Sequence, residues 1–345
     1  MKSYKLILFI LVVFFKTGTL FSDNSLFNVN NIKLEKKDKI SNKSLADLAI
    51  KKGFYELTEK ILLSEDKDKL SDLDFSLIKQ LVTYYQITNI KDNENFVNFS
   101  ITFDKGKIHE LFFKKGILYS EISDKDLYIL PLLVKENDIY IFNNNYFYEN
   151  WNSIYNNTLV EFILLLENIE TIQKINENKN NLLNVDIINL FKEYPNKNLA
   201  LILIDENKNK KQKVYIKTRI QGKNISKGII IKKENFNQDK FYDEIIFQTK
   251  NELINLVKSR NLIDIRTPSF LNTKFRVSKK NNFVELNSRI KKIKLIESIY
   301  VEAFNKDNMN LKIKYLGKLE NIIDQLNREK IDLKLVNDQW VIKTL

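Results

Sequence analysis

Cysteine is absent from all 345 residues, and that limits the ways a chain of this kind can hold itself together. If the protein works outside the cytoplasm, no disulfide framework is available and a hydrophobic core alone must hold the fold. Thiol nucleophiles, Fe–S clusters and thiolate zinc sites are excluded at the same stroke. The start of the chain points to such a location. Residues 1–22 carry Lys2 and Lys5, then an uninterrupted apolar run from Leu6 to Phe15, then turn-prone residues up to Ser22. A basic segment, a short apolar segment and a cleavage point after Ser22 make the layout of a secretory signal. Ten apolar residues form about 15 Å of helix, half the hydrocarbon thickness of a bilayer, so the run is short for a membrane span. Retention as an uncleaved anchor is the alternative, and the periplasm is the expected destination.

Composition narrows the partners. A hydrophobic content of 43% describes a globular chain, and the length allows two or three small domains. Asn, Lys and Ile are heavily used while Gly and Pro are scarce, a bias that AT-rich codons produce without functional demand. The formal charge of +12 falls to +9 when Lys2, Lys5 and Lys16 leave with the signal. The remaining lysines are interleaved with acids, and there are only six arginines for bidentate phosphate recognition, so no nucleic-acid partner is expected. One dense cluster, Lys208, Lys210, Lys211 and Lys213, reads as a solvated hairpin tip; a weak contact with anionic membrane is its functional reading.

The periodicities predict an α+β fold of two or three small α/β sandwich modules. After the signal, residues 23–42 read as a flexible polar lead-in. A helix from Ser44 presents Ala46, Ala49, Ile50, Gly53, Phe54, Leu57 and Ile61 at helical spacing, its small residues suited to close packing on a sheet. Strands follow at 81–90 and 96–103, the second alternating Val97, Phe99, Ile101 and Phe103 with polar residues. A helix at 107–115 ends at Gly116, and Pro131 marks the strand at 127–134 as an edge or an irregular one. This N-terminal domain is expected to span 43–168, with a boundary or long loop in the charged, Asn-rich stretch 170–181. A middle α/β domain (182–270) combines a helix at 185–194, three strands and a long helix at 239–260. The last module (280–345) reads as strand (283–286), helix, strand, strand, helix, strand, a ferredoxin-like order, with a final strand around Trp340. The strand-glycine-helix pattern of Phe99 to Gly106 is echoed from Leu311 to Gly317.

No reactive constellation emerges. His109 is the single histidine and has no partner for zinc or for a Ser-His-Asp triad. Phosphate-binding glycine motifs and the G-x-S-x-G elbow are missing. Asp66, Asp68, Asp72 and Asp74 imitate a calcium loop, yet Lys67 and Lys69 sit among them and the turn glycine is absent. No catalytic, cofactor-binding or metal-ligating residue is therefore assigned, and no cofactor is expected. Tyr146, Tyr148 and Trp151, with Phe147, form the one aromatic cluster that could contact a ligand. Core or sheet-edge packing is its structural alternative, and Trp340 is expected to anchor the last strand.

The stretch from Leu48 through Lys51-Lys52-Gly53-Phe54 to Leu63, with Val82 to Ile87 and Val97 to Asp104, resembles the start of a family of exported proteobacterial proteins known only as a domain of unknown function. The segment from Leu311 to Gly317 and on to Trp340-Val341-Ile342 resembles the family's closing module. The resemblance implies a periplasmic α/β chain and carries no site residue. Together these features point to a non-enzymatic binding or assembly module whose partner is another envelope protein. The alternative is a hydrolytic envelope enzyme whose carboxylates converge only in the fold.

Overall fold

A computed structural model describes residues 26–36, 41–89, 95–122, 124–135, 138–154, 160–206, 211–232, 237–278 and 281–345. The signal expected at 1–22, and Lys208 and Lys210 of the basic cluster, lie outside the described residues. The fold is α+β and divides into two units. The first comprises residues 1–58 and 70–112, the second 59–69 and 113–345.

In the first unit, strand β1 (Asn28–Glu35) precedes helix α1 (Asn42–Ile61). The one-turn helix α2 (Ser64–Lys67) belongs to the second unit, and α3 (Phe75–Gln80), β2 (Val82–Asn89), β3 (Phe96–Phe103) and α4 (Lys105–Lys115) complete the series. The strands form an antiparallel sheet in the order β1-β3-β2. Val97, Phe99, Ile101 and Phe103 are buried as their alternation requires. Gly53 explains the small residues of α1: a Cβ there would lie 2.8 Å from Ile32 Cδ1 and 3.0 Å from Ile101 Cδ1. The helix therefore rests on the sheet at a distance only glycine allows without a shift of those side chains.

Strand β1 corrects the flexible lead-in expected at 23–42. Val29 pairs with Ile101 and Ile32 with Phe99, and both are buried. The ladder shifts register between them, where Asn31 takes a left-handed φ of 62°. That bulge places residues three apart on one face, so the two-residue period of a strand is broken in the sequence.

The second unit is built on a six-stranded sheet. Its path is β10 (Lys223–Lys232), β9 (Lys211–Ile220), β8 (Asn198–Glu206), β5 (Asp126–Lys135) and β6 (Asp138–Tyr140), with β7 (Glu161–Leu164) also pairing to β5. Strand β4 (Tyr119–Ser120) pairs separately with β11 (Leu262–Ile263). β5 and β8 run parallel over nine residue pairs. The boundary expected at 170–181 therefore falls between two neighbouring strands of one sheet. That stretch holds α6 (Ile169–Glu177), whose Thr171 and Ile175 are buried. The helix expected at 185–194 is the single turn α7 (Ile187–Leu190), capped by Asp186.

Both faces of the sheet are covered, so its central strands are apolar without alternation. Ala200, Ile202 and Ile204 of β8 pack into one core with the long helix α8 (Gln238–Arg260), while Leu199, Leu201 and Leu203 pack into the other with Ile175, Ile187 and Phe191. Of the two readings of Pro131, edge or irregular strand, the edge is corrected: β5 is a central strand, irregular in its ladder at the proline. β7 pairs with Asp126 to Ile129 of β5 and β6 with Leu133 to Lys135, leaving Pro131 in the gap between them. A strand residue directs its N–H and C=O to the same side, so a missing N–H costs no ladder bond there.

Asn145 fills that gap. Its Nδ2 donates to the carbonyls of Pro131, Tyr140 and Ile141 at 2.9, 3.0 and 2.9 Å. Its Oδ1 accepts from Phe147 N at 3.1 Å and Tyr148 N at 3.4 Å, capping α5 (Tyr146–Asn150). One buried amide joins sheet and helix.

The C-terminal part of this unit is a five-stranded sheet in the order β13-β14-β12-β16-β15. These strands are β12 (Ser269–Arg276), β13 (Ile296–Phe304), β14 (Asn308–Tyr315), β15 (Ile331–Val336) and β16 (Gln339–Thr344), with helices α9 (Phe283–Ile290) and α10 (Leu319–Arg328). Strand β12, α9 and β13 form a split βαβ unit with β14 antiparallel between the strands, the ferredoxin-like core. Two details differ from the sequence expectation. Residues 283–286 begin a helix capped by Asn282 rather than a strand, so the module starts at β12. The place next to β12 is taken by β16, parallel to it, with β15 outside as the other arm of a hairpin.

Replacing Asn145 tests the joint between sheet and helix. Asn145→Ala leaves three carbonyls short of a donor and removes a cap, an expected loss of about 2–4 kcal/mol in urea unfolding. Asn145→Asp keeps the cap acceptor but not the donor, and should destabilise at least as much. Wild-type stability in the aspartate variant would show that the amide's donor side is not what matters.

Candidate binding groove

The aromatic residues singled out in the sequence serve the core. Trp151 is 0% exposed and packs edge-on against Phe162 with ring centres 6.0 Å apart. The Tyr146 hydroxyl donates to Asp243 Oδ1 at 2.8 Å, and burial together with that bond pushes its pKa up to about 12. Tyr148 donates to the Leu165 carbonyl at 2.9 Å and packs edge-on against Phe142. Trp151 is closed off from solvent, and both tyrosine hydroxyls are committed within the fold. These residues therefore seal the flank of β5; they do not form an open platform.

The other candidates disperse. His109 on α4 packs edge-on against Phe27 at 5.8 Å. Asp66 accepts from Lys69 at 2.6 Å, and Asp74 caps α3 through Ser76, so the calcium-like run is spent on local structure. Among the described residues, no three His, Cys, Asp or Glu side chains are grouped to hold a metal ion. Trp340 is half-buried on β16, opposite Thr273.

Two lysines missed by the sequence reading are buried on α8, two helical turns apart. Lys258 Nζ donates to the carbonyls of Glu59 at 2.6 Å and Leu62 at 2.8 Å. Lys250 Nζ donates to the Ile154 carbonyl at 2.7 Å and lies 5.3 Å from the centre of the Phe162 ring. Burial lowers the pKa of each to about 8. Neighbouring Lys67 lowers that of Lys258 further, against a smaller opposing effect of Glu59. Their i, i+8 spacing in an otherwise amphipathic helix was the available signal, but lysines at that spacing ordinarily mark a solvated face.

The concave feature best suited to binding lies on the outer part of the six-stranded sheet. Leu201 and Leu203 of β8, Tyr215 of β9, and Ser226 and Gly228 of β10 form its floor, and Leu182 and Leu183 one wall. The volume is about 260 Å³. The bordering cations are already engaged: Lys217 donates to the Val185 carbonyl at 2.8 Å, and Lys227 pairs with Glu252 at 2.6 Å. What the groove offers is therefore mostly apolar. A Cβ at Gly228 would meet Tyr215 Cδ1 at 3.8 Å, an ordinary contact, so the floor accepts a side chain at this position.

No protein-family model matches this chain, and no curated protein is similar to it. A crystal structure described as that of an uncharacterized protein aligns with 40% of this chain and 94% of its own, at 8% identity and a TM-score of 0.18, too low to bear on the fold. No helix among the described residues is long and apolar enough to cross a membrane.

The buried lysines set a pH dependence. Below pH 8 each is charged in both states, and the full cost of burying the charge is present. Between pH 8 and about 10 the folded protein sheds these protons while the unfolded chain keeps them, so stability rises with pH. Above pH 10 the trend reverses, because Tyr146 and Tyr242 keep their protons to about pH 12 only when folded. The urea midpoint should climb from pH 7.5 to 9.5, and Lys250→Met should flatten that climb. An equal slope in the variant would remove Lys250 as its source.

Proposed function

We propose that the protein is exported to the periplasm and acts there as a non-enzymatic binding or assembly module of the cell envelope. The groove over β8, β9 and β10 receives an apolar segment of a partner protein. The observation that supports this reading is the groove's combination of leucine walls with lysines already hydrogen-bonded or ion-paired. Its volume lies below the roughly 300–1,000 Å³ of small-molecule pockets and suits one or two side chains of a larger partner. Export rests on the basic-apolar-turn layout of residues 1–22, and the resemblance to an exported proteobacterial family agrees with it.

Two experiments check these statements. Mass spectrometry of the chain recovered from periplasm should find Asp23 as the first residue; an intact N-terminus would point to an anchor. A photoreactive amino acid at Ser226 should yield a defined adduct with an envelope protein, absent when placed at Lys343. Gly228→Phe should fill the groove and abolish the adduct. Adducts that persist in the filled groove would overturn the reading.

A further inference from the structure

Strand β2 is one edge of the first unit's sheet among the described residues, β1 being the other, and past a ladder irregularity between Val82 and Tyr84 it carries none of the residues that normally guard an edge. Its eight residues, Val82-Thr-Tyr-Tyr-Gln-Ile-Thr-Asn89, contain no charge, proline or glycine in a chain that is 29% charged. Natural edges are blunted by lysine, proline or bulges, because an open row of N–H and C=O groups templates another strand. The strand is exposed on both faces. Tyr84 is 51% exposed on one; Tyr85 at 45% and Ile87 at 43% are on the other, where they extend the apolar face that Phe99 and Ile101 present to α1.

We propose that β2 pairs antiparallel with β2 of a second copy of this chain, about a two-fold axis through Gln86. An axis perpendicular to the sheet requires paired residues to share a face, so it must pass through a residue rather than between two. Centred on Gln86, it sets Tyr85 opposite the partner copy's Ile87 and Ile87 opposite its Tyr85. These are two aromatic–β-branched pairs on the apolar face. The other face pairs Tyr84 with Thr88 twice and Gln86 with itself. No charge meets a like charge along the seam, although the chain as a whole is strongly basic and copies would otherwise repel.

The area defines the kind of dimer. The seven residues that pair about Gln86, 83–89, make a seam about 23 Å long, covering roughly 350 Å² per copy against about 800 Å² in a standard stable interface. Association is therefore reversible and concentration-dependent. It involves neither the groove nor its ligand and stands or falls independently of the proposed function.

The absence of cysteine makes single-cysteine probes unambiguous. In the mature chain, Gln86→Cys should form a disulfide-linked dimer under mild oxidation. Tyr84→Cys and Thr88→Cys should each stay monomeric alone and give a mixed dimer when combined. Gln86→Lys sets two lysines face to face and should shift sedimentation equilibrium to the monomer while leaving the thermal unfolding curve unchanged. Failure of Gln86→Cys to cross-link, self-linking of Tyr85→Cys in its place, or a wild-type chain monomeric at its highest soluble concentration would each overturn the proposal.

Discussion

The second unit depends on one constraint: β5 and β8 are apolar on both faces and need cover on both. Residues 198–204 are buried in sequence, with alternate side chains entering two separate cores. Helix α8 answers this need on one side, and α6, α7 and the turns between them answer it on the other. The cover over β9 and β10 is incomplete, and the groove is the part of the apolar surface left open. Groove and core are thus consequences of the same pattern.

A second requirement follows from the first. A central strand with a proline must find a place where the missing donor is harmless, and the handover from β7 to β6 provides it. Asn145 then supplies the donors that a continuous neighbouring strand would have given. Helix α5 accordingly takes the position of a strand at the flank of β5, with Phe147 and Trp151 entering one core and Tyr148 the other. Its aromatic richness serves closure of the sheet.

Much of this was legible where local pattern and tertiary role coincide. Strand β3, the apolar stripe of α1, helix α8 and the run from β13 through α10 to β15 follow from periodicity alone. The misses each have a physical cause. The bulge at Asn31 shifts the phase of β1, so its apolar residues do not alternate. Pro131 leaves edge and irregular strand both open, because sequence does not reveal a gap in the neighbouring ladder. Phe283 to Leu286 reads as a strand until the Asn282 cap is recognised. The candidate site was the least legible: aromatic residues stand out in composition, whereas the groove is lined by leucines indistinguishable from core. Pairing of β5 with β8, about 70 residues apart, leaves no local trace.

The buried lysines of α8 change what the formal charge means. Lys250 and Lys258 count toward the +12, yet each spends its protons on backbone carbonyls inside the protein. Near pH 8 each is about half discharged, and to that extent it drops out of the field that an approaching molecule meets. Retention on a cation exchanger above pH 8 would therefore fall short of what the composition implies.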